Sequence, residues 1–284
     1  MSRTAVTAPT LRTVTLDDGL QLAYRELGSG PPVMLLHGWP TSSLLWRRVM
    51  PAIARRNRVL AIDLPGFGGS DKPLDAGYGF GYFERALDGF LAGLEIERLG
   101  LAGHDIGGPI AVRWAIGRPD RVTKLALLNT LLYPELLEGH GEFVAMMSKP
   151  ERRDRVTSPD GLAAAMRGGV VNRANLTAEV VAGVQAPFAS EEARLALARA
   201  GLGLELEVFA EIAASLPTLR MPVRAVYGER DRYLPEVART MARLQRDLPQ
   251  AVVTALPDCG HFAQEDAPEL IGDLLAAFFA EDAS

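Results

Sequence analysis

Apolar and polar positions alternate along this chain in two rhythms. Short continuous apolar runs occur at 33–37 (VMLLH), 59–63 (VLAID), 99–104 (LGLAGH) and 124–129 (KLALLN). Runs of this length with no polar alternation suit parallel strands covered on both faces. Between them lie stretches with helical apolar spacing, from Leu44 to about Arg56, Phe80 to about Leu94 and Ile106 to about Ile116. Strands alternating with helices predict right-handed crossovers and a mostly parallel sheet with helices on both faces. Ahead of this unit, Thr13 to Leu16 and Leu20 to Leu27 flank Asp17-Asp18-Gly19 and predict a hairpin.

From about Leu131 to Leu219 the strand-like runs disappear. Ala, Leu, Glu and Arg dominate there, broken by Gly168-Gly169, Pro187 and Pro217, which predicts a helical insertion. The alternation returns with VRAVYG (223–228), a helix near Pro235 to Leu248, AVVTALP (251–257) and a last helix from about Pro268 to Phe279. The expected organisation is a core of residues 1–130 and 220–284 carrying a helical cap over 131–219. A length of 284 residues accommodates one large core plus such an insertion.

Charge narrows the function. Thirty basic and 35 acidic residues are scattered with no long run of one sign, so neither a nucleic-acid backbone nor an anionic membrane finds a footprint. The first ten residues lack the apolar core of a signal peptide, and the uncharged segment Pro31 to Trp46 is interrupted by HGWPTSS. A single cysteine, Cys259, forms no internal disulfide and fits a reducing compartment, so a cytoplasmic location is expected. The four histidines have no metal-ligand spacing, and neither metal nor cofactor is expected.

In open parallel sheets, ligands bind beyond the carboxyl ends of the strands. Gly103-His104-Asp105-Ile106-Gly107-Gly108 follows one such strand and opens a helix, the context of a nucleophile elbow with aspartate in the serine position. A helix start with its free N–H groups suits a carboxylate, although aspartate is also a common helix cap. A carboxylate nucleophile makes an ester, which needs a base to activate water. His37 ends a strand, His104 alternates away from Asp105 and His140 falls in the insertion, leaving His261 in CGHFAQED. Asp231, after the penultimate strand, is the candidate to orient His261, and the order Asp105, Asp231, His261 is that of the α/β-hydrolase triad. The amides of Trp39 and Ile106 are candidate oxyanion donors. Asp63 reads as a turn residue, Trp46 and Trp114 as core, and Cys259 as a packing residue.

HGWPTSSLLWRRVMP, DLPGFGGSDKP, GHDIGG and GHFAQEDAPELI resemble the α/β-hydrolase superfamily over nearly the whole chain, and the haloalkane dehalogenases in particular, with epoxide hydrolases as near neighbours. The resemblance implies an eight-stranded, mostly parallel sheet with a helical cap after the sixth strand. It also implies one catalytic acid, after either the sixth or the seventh strand. Asn129 stands at the first position and Asp231 at the second. Dehalogenases usually carry Trp after the nucleophile to hold the halide. Here that residue is Ile106, which leaves the Trp39 indole as the halide donor. Epoxide hydrolases use cap phenols, and only Tyr133 lies in the insertion, with Tyr233 beside the acid.

Three readings stand: carbon–halogen hydrolysis, epoxide hydrolysis, and a binding or non-hydrolytic relative of the fold. The expected substrate is a small apolar organic molecule. Tyr133, Phe143 and Phe188 are the candidate substrate contacts. Met146, Met147, Met166 and Phe209 are further cap residues that either line the pocket or pack the cap onto the core, with packing expected for at least half of these apolar cap residues.

Overall fold

The computed structural model describes residues 9–280. Eight strands form one sheet: β1 (Leu11–Thr15), β2 (Gln21–Leu27), β3 (Pro32–Leu36), β4 (Arg58–Ile62), β5 (Leu99–Asp105), β6 (Val122–Thr130), β7 (Val223–Gly228) and β8 (Ala251–Leu256). Their spatial order is β1-β2-β4-β3-β5-β6-β7-β8. β1 pairs antiparallel with β2 and β2 antiparallel with β4, while every pairing from β4 to β8 is parallel. β5 is buried at every position, as its unbroken apolar run requires.

The helices are α1 (Met50–Ile53), α2 (Phe80–Gly93), α3 (Gly107–Gly117), then α4 (Glu138–Met147), α5 (Pro150–Thr157), α6 (Pro159–Gly169), α7 (Ala178–Gln185), α8 (Glu191–Leu202) and α9 (Leu206–Ser215), followed by α10 (Val237–Asp247), α11 (Ala263–Asp266) and α12 (Pro268–Ala280). Everything from α4 to α9 lies between β6 and β7, and no strand occurs there among the described residues. No helix among these residues is long and apolar enough to cross a membrane.

One expected helix is broken. The stretch from Leu44 to Arg56 is a 3-10 turn at Ser43–Trp46 followed by the four-residue α1. Pro51 lacks an N–H, so it is accommodated in the first turn of a new helix but not inside a longer one. Trp46 and Trp114 are fully enclosed, in agreement with their assignment to the core.

The apolar core does not stop at the sheet. Leu60, Ile62 and Leu127 belong to the same continuous cluster as Leu162, Phe188, Leu197 and Phe209 from the helical insertion. Phe80 of α2 meets Phe209 of α9 edge-on, with ring centroids 5.5 Å apart. The insertion therefore seats on the core through shared side chains rather than around a separate apolar centre.

Candidate active site

β5 ends at Asp105 and α3 starts two residues later, so the chain reverses within a single tight turn. Asp105 takes φ of +51°, a left-handed conformation that aspartate tolerates better than branched residues do. A side chain at Gly103 would strike the Gly107 carbonyl, and one at Gly107 would strike the backbone at His37, so the elbow admits only glycine on either side. Thr130, at the end of the neighbouring β6, donates its hydroxyl to the Asp105 carbonyl at 2.6 Å and pins the turn.

The carboxylate is held from both flanks. Trp39 N–H donates to Asp105 Oδ2 at 2.8 Å, and the Ile106 amide is a second backbone donor. The Gly in HGWP has a reason of its own, since a Cβ at Gly38 would occupy the space of the Asp105 carboxylate. Burial pushes the Asp105 carboxyl upward, while His261 and the two amides pull it back toward the anion. Behind this loop, the buried Asp63 accepts Ser43 N–H at 2.6 Å and Gly69 N–H at 2.7 Å, so it ties two loops together in addition to shaping its turn.

His261 follows β8, and its Nε2 lies 4.0 Å from Asp105 Oδ1. Its Nδ1 lies 2.9 Å from Asp231 Oδ2, which assigns the proton to Nδ1 and the lone pair to Nε2. Burial alone would lower the His261 pKa. The charge and hydrogen bond of Asp231, joined by Asp105, more than offset this and raise it above its ordinary value. Burial likewise works against an ionised Asp231, but His261, Asn129 and the Leu234 amide outweigh it and hold that carboxyl below its ordinary value. The three residues chosen from sequence therefore converge on one point at the carboxyl ends of β5, β7 and β8.

Two polar residues in this network were not picked out by spacing. Asn129 donates from Nδ2 to Asp231 Oδ2 at 2.8 Å and accepts Gly228 N–H at 3.1 Å, so the residue standing where an acid is absent steers the acid that is present. His104 Nε2 donates to the His261 carbonyl at 2.9 Å, and burial together with the nearby His261 lowers its pKa to about 3, which keeps it neutral. Its strand alternation away from Asp105 is what aims it at the His261 loop.

A cavity of about 580 Å³ opens over this constellation, lined by Asp105, Ile106, Trp39 and His261 below and by helices α4, α5, α6 and α8 above. Of the candidate substrate contacts, Phe143 lines it and packs edge-on against Trp39 at 4.9 Å. Tyr133 and Phe188 do not. Tyr133 is fully buried beneath the Arg243 guanidinium, 4.1 Å from its ring centre, and Phe188 is enclosed in the shared core. Met146 also lines the cavity, whereas Met147, Met166 and Phe209 are buried away from it, so packing prevails over lining among the apolar cap residues.

The Trp39 side chain departs from expectation too. Its indole N–H donates to the Leu197 carbonyl of α8 at 3.3 Å, so it ties the loop to the insertion and is not offered to a halide. His140, an insertion residue, lines the cavity from α4, and burial lowers its pKa. Its spacing of three from Phe143 places both on one helix face, a signal the sequence does contain. Cys259 is buried and its thiol is pushed up to about 11 by burial, in keeping with a packing role.

The family model for the α/β hydrolase fold matches residues 31–268. Haloalkane dehalogenase 2 of Mycobacterium tuberculosis is 31% identical over 265 residues, covering 88% of each chain. This chain belongs to the haloalkane dehalogenase branch of the α/β-hydrolase fold family. The structure of a haloalkane dehalogenase from Bradyrhizobium elkani USDA94 superimposes with a TM-score of 0.83 at 28% identity, covering 95% of this chain and 97% of that one. A putative ancestral haloalkane dehalogenase superimposes with a TM-score of 0.82 at 30% identity, covering 95% and 98%. The chain is accordingly a hydrolase of this branch, and its departures at Ile106 and Trp39 bear on which electrophile it takes.

Proposed function

We propose that Asp105 is the nucleophile of a two-step hydrolysis at a saturated carbon, with carbon–halogen cleavage as the reaction. The observation that carries this reading is the division of labour between the two carboxylate oxygens. Oδ2 accepts the Trp39 amide and the Ile106 amide is a second donor to the carboxylate, while Oδ1 faces His261 Nε2 across 4.0 Å. In the first step Oδ1 attacks the carbon in line, and the carbon–halogen bond breaks with its electron pair leaving as halide. In the second step His261 Nε2 takes a proton from water and the hydroxide adds to Asp105 Cγ. The resulting oxyanion forms on Oδ2, to which the Trp39 amide already donates. Collapse expels the alkoxide, which recovers the proton from His261 as the alcohol. A 4.0 Å gap is too long for a direct hydrogen bond and suits a base that acts through water. Residues 131–219 serve in this reading as the cap that closes over Asp105.

A second reading, epoxide opening through the same ester, is favoured by the absence of an indole aimed at a leaving halide. His140, on the cavity wall, would then steady the opening oxygen by a hydrogen bond while water supplies its proton.

The test is intact-mass measurement of a His261→Gln variant after incubation with 1-bromohexane and, separately, with 1,2-epoxyhexane. Carbon–halogen hydrolysis expects a hexyl ester with stoichiometric bromide release, lost on adding Asp105→Asn. A hydroxyhexyl ester from the epoxide alone would replace the first reading by the second. No adduct in the folded variant from either reagent, or from a bromoalkanoate, would refute Asp105 as nucleophile.

A further inference from the structure

Three arginines line the active-site cavity without an acidic partner. Arg152 and Arg155 lie three residues apart on α5, hence on one helix face, and Arg232 follows Asp231 directly on the opposite, core side. All three are exposed, whereas Asp105 and His261 at the base of the cavity are buried. None of the three forms an ion pair or side-chain hydrogen bond among the described residues, although neighbours in sequence do. Arg153 pairs with Asp154 at 2.8 Å and Arg230 with Asp258 at 2.9 Å. Glu142, the exposed carboxylate lining the same cavity, forms no ion pair with any of them.

Among the exposed residues that line the cavity, three guanidiniums offset by one carboxylate are unexpected in a chain with a formal net charge of −5. Like charges converging on a partly apolar cavity repel one another, and an anion placed among them relieves that repulsion. Guanidiniums are also the side chains best shaped to receive a planar carboxylate. Deeper in the cavity the walls are apolar, with Ile106, Leu131, Phe143, Met146 and Leu234 around the carboxylate of Asp105.

We propose that this cavity recognises an organic acid, with the electrophilic carbon on its apolar chain directed to Asp105 and its carboxylate at the mouth among Arg152, Arg155 and Arg232. The inference rests on the proposed Asp105 chemistry for the orientation of the substrate, while recognition of the anion stands on the arginines alone. It also changes the expected substrate from simply apolar to apolar at one end and anionic at the other.

The experiment separates the two. Unreactive hexanoate and hexanamide are titrated calorimetrically into the wild-type protein and into Arg152→Gln, Arg155→Gln and Arg232→Gln variants. Hexanoate is expected to bind roughly tenfold more tightly than hexanamide. That preference is expected to fall about two- to fivefold with each variant and to weaken with added salt. Arg153→Gln, whose parent residue pairs with Asp154, leaves the preference intact. Equal binding of the two ligands, binding of neither, or a preference unchanged in all three cavity variants overturns the proposal. In parallel, His261→Gln is incubated with 6-bromohexanoate and with 6-bromohexanamide, and the rate of ester formation is followed by mass. Faster labelling by the acid supports the proposal, and equal labelling overturns it while leaving Asp105 as nucleophile. A hexanoate preference without labelling by either reagent supports the anion site and removes the carbon–halogen reading.

Discussion

Asp231 accepts four hydrogen bonds, and that count decides what an isosteric substitution does. Oδ2 receives His261 Nδ1 at 2.9 Å and Asn129 Nδ2 at 2.8 Å, while Oδ1 receives the Tyr233 and Leu234 amides at 2.8 and 2.9 Å. In Asp231→Asn one of these oxygens becomes an NH₂ group. The two backbone amides cannot turn away, so the remaining oxygen stays with them and the NH₂ faces His261 and Asn129. His261 can answer only by moving its proton to Nε2, which removes the lone pair that activates water. Asn129 cannot flip to compensate because its Oδ1 already accepts Gly228 N–H. One buried donor is thus left unsatisfied, which costs about 1–3 kcal/mol of stability. The wrong tautomer slows ester hydrolysis by on the order of a thousand- to ten-thousandfold, equivalent to about 4–5.5 kcal/mol of barrier. Rapid-quench measurement with a bromoalkane is expected to show a burst of one bromide per site followed by near-complete arrest, with the alkyl ester visible by mass. Multiple turnovers at a rate within tenfold of wild type would refute the role of Asp231 in orienting His261.

The pH dependence has a defined sign. His261 must be neutral to act as base, so ester hydrolysis increases as pH rises through the His261 pKa, which lies above its ordinary value while Asp105 is a free carboxylate; the increase is read by single-turnover kinetics. Alkylation of Asp105 removes one of the charges that raise it, so this limb lies at lower pH in the ester than in the free enzyme. The same raised pKa contributes folding stability that is complete below the unfolded value and is lost as pH rises through the folded one. Arg47 and Glu265 form a buried two-pronged ion pair at 2.5 and 2.8 Å, and Glu265→Gln is expected to cost about 3–5 kcal/mol in urea unfolding by leaving the guanidinium without its anion. Because Tyr133 packs under Arg243 rather than in the cavity, Tyr133→Phe should leave kcat/KM within about twofold, whereas Phe143→Ala raises KM. Trp39→Phe removes the indole tie to Leu197 and is expected to lower stability by about 1 kcal/mol without changing halide inhibition.

The features legible in the sequence are those in which a local backbone requirement dictates residue type. The elbow could be read because its turn rejects a side chain two positions to either side of Asp105, and Gly103 and Gly107 record that rejection. The strands and the insertion could be read because unbroken apolar runs and helical spacing are local properties of the chain. The order of Asp105, Asp231 and His261 followed from which loops lie at the carboxyl ends of those strands. What a side chain meets across a packed layer is a different matter. Tyr133 and Phe188 carry the composition of cavity residues and lie in the core, because the insertion shares its apolar cluster with the sheet. Trp39 has the right position and the right indole, yet α8 presents the Leu197 carbonyl and takes its N–H. Asn129 and His104 steer the triad through partners about a hundred or more residues away. Arg152, Arg155 and Arg232 belong to segments some 80 residues apart, and only the folding of the insertion over the sheet turns them into one charged rim. The sequence by itself therefore determined the scaffold and the three residues that meet at the carboxyl ends of β5, β7 and β8, since each answers to backbone geometry near at hand. The tertiary structure alone decided which side chains surround them, since that depends on how two distant parts of the chain pack against each other.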